Sequence, residues 1–291
     1  MDGFKLGKVF NVVDLIVISY LFDTLILSFF LHERGAWVHP VVFRLLSFTA
    51  IGFILFHDNK YPSNISQWIR FFYPILLISY IYGETAQLNH IFFHESLDGY
   101  LVNLEEGLFG FHPSMSFDKA MPQLWFRELM NFGYFAYYLF TFGFALAAFY
   151  LRKKEALKIM FIILFSFLTY YIFFIIFPTE GPQFYFLKGE LPPPQGIFGH
   201  LVHWAQEIGE APTGAFPSSH VGMMLVFSWI SYKYFRKWLW LTIFFTLIIT
   251  FATIYIKAHY AIDIIAGYIS APILIYFGKR FYNMSLMILE E

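Results

Sequence analysis

The chain has 291 residues, 58% of them hydrophobic and only 13% charged, with no Cys and a net charge of −1. This balance excludes a disordered chain, a disulfide scaffold, a cysteine nucleophile and an ordinary soluble domain, which carries about 25% charged residues. Near-neutral charge leaves no electrostatic footprint for nucleic acid. What remains is a polytopic membrane protein with room for about six to eight spans of ~20 residues.

In chain order, apolar stretches predict all-helical spans near 10–31, 40–57, 68–86, 131–151, 157–178, 219–235, 238–256 and 262–282. No barrel-like alternation competes with the helical reading, and only helices then satisfy their own backbone in lipid. The stretch at 40–57 carries Arg44, and the one at 68–86 opens with Trp68 and Arg70, so six or eight spans remain open. The first stretch holds Asp14 and Asp23 and lacks a small-residue cleavage site, so it reads as a retained span and not a signal peptide. An amino-terminal part, 1–130, precedes a core, 131–291.

Charge predicts the orientation. Lys5 and Lys8, the cluster Arg152, Lys153, Lys154 and Lys158, then Lys233, Arg236 and Lys237, and finally Lys279 and Arg280 fall on one side. The other side holds Glu84, Glu95, Asp98, Glu105, Glu106, Glu180, Glu190, Glu207 and Glu210. The positive-inside rule places both termini in the cytoplasm and the long loops 87–130 and 179–218 outside. The first loop reads as amphipathic pieces such as 97–109, lying at the interface. The second holds Pro178, Gly181, Pro182, Pro192, Pro193, Pro194, Gly196, Pro212, Gly214 and Pro217, too many breakers for one helix.

Three places at the outer helix ends carry candidate chemistry: Phe177–Pro178–Thr179–Glu180–Gly181–Pro182, Gly214–Ala215–Phe216–Pro217–Ser218–Ser219–His220 and Lys257–Ala258–His259–Tyr260–Ala261–Ile262–Asp263. Ser218 or Ser219 fits a helix N-cap, and free amides at a helix start favour phosphate. His220 then stands in the first turn. His259 and Asp263, four apart, share a helix face. A carboxylate at the membrane edge is costly unless paired, and one that accepts from an imidazole fixes its tautomer and raises the nucleophilicity of the other nitrogen. Bland readings stand beside these: a Ser-capped helix with an interfacial His, and a pair that staples a helix end.

Taken together, Pro-Ser-x-His at a helix start and His-x-x-x-Asp after an intervening helical hairpin resemble the type-2 phosphatidic acid phosphatase superfamily. The surrounding Gly214–His220 and Ala252–Asp263 segments resemble its divergent branch that includes inositol phosphorylceramide synthases. The resemblance covers roughly 130–282. It implies an all-α six-helix membrane core with one or two extra amino-terminal helices. It implies His259 as nucleophile, Asp263 as its orienting carboxylate, His220 as general acid, and Ser218 with Ser219 at the phosphate. The family's Lys and Arg before Pro are missing at 177–183, and Thr253 stands where an Arg is expected. Lys257 is the first candidate substitute, with Lys188 and Arg127 behind it.

The implied activity is metal- and cofactor-free phosphoryl transfer on a lipid phosphate or phospholipid headgroup at the outer leaflet, to water or to an alcohol such as ceramide. A non-catalytic transporter or lipid-binding protein is the alternative, favoured by the missing cations and opposed by the lack of an inverted repeat. Asp14 and Asp23 could line a lateral headgroup entry or simply lie near the interfaces. His90, His94 and His112 lack the spacing of a metal site. Glu128 and Asn131 open the fourth span and could reach a headgroup.

Overall fold

The structure, a computed structural model, describes residues 6–34 and 37–290. Among these, 80% of the architecture is helix and no strand occurs. Twelve α-helices run α1 Val12–Ser28, α2 Val38–Lys60, α3 Asn64–Leu88, α4 Asp98–Phe109, α5 Pro113–Ala120, α6 Leu124–Leu151, α7 Ala156–Ile176, α8 Pro182–Tyr185, α9 Gly196–Gly209, α10 Ser219–Tyr234, α11 Leu239–Tyr255 and α12 Ala261–Glu290. Eight of them coincide with the eight expected apolar stretches. α6 starts seven residues before the expected edge and α12 runs eight beyond it, because amphipathic flanks extend a helix without adding to its apolar run.

Among the described residues, six stretches are long and apolar enough to cross a membrane: Val12–Leu31, Val38–Lys60, Leu124–Leu151, Ala156–Ile176, Arg236–Tyr255 and Ala261–Glu290. α10, with 16 residues, is shorter than a full span, and α3, with 25, is diluted by Arg70, Glu84 and several hydroxyl residues. Both are built into the bundle nonetheless. α7 is its hub, with Ile159, Met160, Ile162, Ile163, Leu164 and Phe174 all fully buried. It packs against α1, α3, α6, α10 and α12. The core is thus α3, α6, α7, α10, α11 and α12, with α1 and α2 added at its side.

The charges that made α2 and α3 ambiguous are paired inside. Arg44 is fully buried, donates to Glu84 at 2.7 Å and to Thr24 Oγ1 at 3.0 Å, and so joins three helices. Arg70 reaches Asp14 at 2.6 Å and Asp58 at 3.1 Å. Asp14 also closes a capping box with Asn11 at the start of α1. It is a structural anchor far along the chain from the candidate site, while Asp23 is exposed.

The breaker-rich loop yields only α8, α9 and irregular backbone, as expected. The 97–109 segment is α4, ended by Gly110 at φ 74°. Glu128 is used structurally: its carboxylate accepts from the amides of Ile197, Phe198 and Gly199 at 2.8, 3.1 and 3.0 Å. It caps α9 from another helix, supplying the anion that a helix start favours.

Candidate active site

α10 starts where Pro217 interrupts the loop and Ser218 takes the cap position, its hydroxyl accepting from the Val221 amide at 3.4 Å. Ser218 is fully buried and its own amide donates to the Asp263 carbonyl at 3.0 Å, which fastens the start of α10 to the start of α12. Gly267 allows this approach; a Cβ there would lie 2.8 Å from the Ser218 carbonyl. His220 follows in the first turn. Its ring lies against Tyr134 and Tyr137, at centroid distances of 4.8 and 4.4 Å.

His259 sits in the short turn between α11 and α12. Thr253, where a family Arg is expected, ties that turn instead: its carbonyl accepts from the amides of Ala258 and His259 at 3.0 and 3.1 Å. His259 Nδ1 lies 2.7 Å from the Ala215 carbonyl and therefore donates to it. Nε2 is left with its lone pair, 3.0 Å from His220 Nδ1. The two histidines, 39 residues apart, thus meet directly.

Asp263 is also close, 3.5 Å from His259 Nδ1, but its Oδ2 accepts from the Tyr260 amide at 2.7 Å. The tautomer-fixing bond therefore goes to a backbone carbonyl and not to Asp263, because the carbonyl of Ala215 lies nearer the same nitrogen. Asp263 holds the turn that carries His259. Burial pushes His259 down to about 4 from its ordinary value, against the opposing pull of the Ala215 carbonyl and Glu210, so the imidazole is neutral near pH 7.

Two carboxylates on α4 escaped the sequence reading. Asp98 is fully buried and accepts from the amides of Glu180 and Gly181 at 2.7 and 2.8 Å and from the Tyr260 hydroxyl at 2.7 Å; Ser96 donates to it as well. Seven residues on, Glu105 accepts from the Ala261 amide at 2.7 Å. The spacing of seven places both on one helix face, and that signal was available. Asp98 thus bridges the 177–183 segment to the residue after His259. That segment has lost the family cations but braces the site: Thr179 Oγ1 accepts from the Phe216 amide at 2.9 Å, and the Gln183 amide donates to the Lys257 carbonyl at 3.0 Å.

Lys257 is not free to act as expected. Its ammonium pairs with Asp118 and lines a cavity with Arg127 and Gln206, separate from the cavity that His220 lines. Lys188 is exposed. Asn131 lines the Lys257 cavity, and Ser219 lines the His220 cavity. His112 lies 3.4 Å from Glu105. No group of three metal-ligating side chains occurs among the described residues.

Neither a curated protein nor a solved structure gives a match to this chain. Residues 99–277, from α4 into α12 and more than half of the chain, match the PAP2 superfamily, and the match encloses both histidines, Asp263 and Glu105, while Asp98 lies one residue before it. That family has an all-helical membrane fold, as this bundle does, and the chain belongs to the PAP2 superfamily.

Proposed function

We propose that this protein is an integral membrane phosphoryl-transfer enzyme that acts on a phosphate ester of a lipid through a phosphohistidine. The observation that carries this reading is the 3.0 Å contact between His220 Nδ1 and the lone-pair nitrogen of His259. His259 Nδ1–H is anchored on the Ala215 carbonyl, so the nucleophilic lone pair has a fixed direction. A phosphoryl group would displace this direct contact and part the rings, meeting His259 on one side and His220 on the other.

His259 Nε2 attacks phosphorus, the N–P bond forms, and the P–O bond to the alkoxide breaks. The alkoxide takes a proton from protonated His220. In the second half, neutral His220 takes a proton from water or an alcohol, whose oxygen attacks phosphorus and releases His259. The first amides of α10 and the Ser218–Ser219 hydroxyls serve the phosphoryl oxygens. Lys257 joins them only after release from Asp118. Asp263 positions His259 through the turn at Tyr260. No step uses a metal or a cofactor.

The Lys- and Arg-rich ends of α6–α7 and α10–α11 support a reading with cytoplasmic termini and the histidines at the outer leaflet. Water as acceptor makes the protein a lipid phosphatase. A lipid alcohol makes it a transferase like the inositol phosphorylceramide synthases, and the sequence around His220 and His259 leans slightly that way. Incubating purified protein with a panel of lipid phosphates and phospholipids, with and without ceramide, separates the two by product. Wild type should turn over at least one substrate, with inhibition by orthovanadate, and His259→Ala should lose ~10³-fold or more. Unchanged turnover in His259→Ala would refute the assignment. A pure transporter would show neither turnover nor vanadate sensitivity.

A further inference from the structure

His220 faces a cavity of about 150 Å³ between α3, α6, α7 and α9. Its wall is unusual for a space inside a membrane bundle. Five tyrosines line it, Tyr82, Tyr134, Tyr137, Tyr138 and Tyr171, together with the carboxylate of Glu210. The rings surround the space from three helices: Tyr82 and Tyr171 are 5.8 Å apart, Tyr137 and Tyr138 5.7 Å, and Tyr134 and Tyr138 6.1 Å. No Lys or Arg lines it.

Glu210 lacks a cationic partner among the described residues. It accepts from Tyr134 at 2.6 Å, from Gln183 at 2.5 Å and from Gln206 at 3.1 Å, all neutral donors. A carboxylate at the edge of a membrane bundle is normally paired, so its charge is left for a ligand to balance. An anionic ligand would meet repulsion here. A plain acyl chain would leave the carboxylate of Glu210 facing hydrocarbon. A compact organic cation satisfies both features at once, since tyrosine faces attract quaternary ammonium groups and the carboxylate neutralises them. The size agrees: an apolar cavity of about this volume holds one benzene, and a trimethylammonium group is of that order.

We infer that this cavity binds the alkylammonium end of a phosphate ester, so that the substrate class is a choline-type phosphoester whose phosphorus lies at the His220–His259 pair. The inference rests on the phosphoryl-transfer reading of that pair. It also gives a reason for the absent family cations: a zwitterionic headgroup brings its own positive charge to the site.

The test measures binding in the purified full-length His259→Ala protein, where turnover does not interfere. Phosphocholine is compared by calorimetry with its neutral isostere, in which a tert-butyl group replaces the trimethylammonium. Phosphocholine should bind at least ~10-fold more tightly. Glu210→Gln should bring the two ligands close to parity. Because Glu210 also holds Tyr134 and two glutamines, a second pair guards against misfolding: Tyr171→Phe should keep the preference and Tyr171→Leu should reduce it. Equal or tighter binding of the isostere would overturn the inference, as would an unchanged preference in both Glu210→Gln and Tyr171→Leu. Nanodiscs of phosphatidylcholine that compete with free phosphocholine identify a lipid as the source, and nanodiscs that do not compete identify a soluble ester; either result requires the ammonium preference. A retained preference in a wild-type protein that never transfers phosphate would refute the phosphoryl-transfer reading alone.

Discussion

Asp98 offers the sharpest test of how the site is held together. It touches neither histidine, yet its carboxylate accepts from the Glu180 and Gly181 amides and from the hydroxyl of Tyr260, the residue after His259. Asp98→Ala leaves two buried amides and a buried phenol without their acceptor. Hydrogen bonds to a charged group are worth about 1.5–3 kcal/mol each, and such losses are not additive. A loss of ~3–5 kcal/mol is therefore expected, in line with breaking other buried charged networks. At about 2–4 °C per kcal/mol for a chain of this size, the unfolding midpoint in detergent should fall by on the order of 10 °C. Asp98→Asn keeps an acceptor of the same shape and should recover roughly half of that drop. The assay is thermal unfolding in detergent, read together with turnover at a temperature where both variants remain folded. Turnover should fall ~10²-fold in Asp98→Ala, because a misplacement of about 1 Å at the nucleophile has that cost. A midpoint within ~2 °C of wild type would show that the network does not carry the 177–183 and 257–263 segments as described.

Three further outcomes follow from the same geometry. His259 is held below its unfolded value by burial, so the folded state stays neutral while the unfolded chain takes a proton below pH ~6.5; stability is full above that pH and declines as pH falls toward 4, by on the order of 3 kcal/mol. The acid limb of kcat/KM should accordingly lie below pH ~5.5, and a limb centred at pH ~6.5 would contradict a buried neutral nucleophile. Lys257→Gln should cost less than ~10-fold in kcat/KM, since its charge is already neutralised by Asp118, and a loss matching that of His259→Ala would make Lys257 a direct phosphate ligand. Gly181→Ala should reduce turnover by ~10-fold or more: at φ 90° the new Cβ is strained and lies 2.9 Å from the Ala258 carbonyl, beside His259, and activity equal to wild type would show that this turn tolerates displacement.

Much of this arrangement is legible in the residues. Runs of Leu, Ile and Phe located the eight long helices because lipid demands continuous apolar length, and the breakers of 179–218 located the irregular outer layer. The two motifs point to His220 and His259 as partners, and the rings meet at 3.0 Å. Other features depend on pairing across the fold, which a single run of sequence does not display. Arg44 looked like an argument against α2, yet Glu84 lies 40 residues away and neutralises it. Glu128 looked available for a headgroup until α9 folded over it. The Ala215 carbonyl was invisible as a partner of His259, because every residue offers a carbonyl and only the tertiary path aims one at an imidazole. Lys257 stands two residues before His259 in sequence, but Asp118, 139 residues earlier, takes its charge.

The most direct measurement is to trap the enzyme during turnover. Wild-type protein given a labelled phosphoester and quenched rapidly in alkali should carry label on His259, stable to base and released by mild acid. His259→Ala should carry none, and His220→Ala should accumulate less or release it more slowly. Steady turnover with no labelled protein at any time, or label on a residue other than His259, would contradict the account.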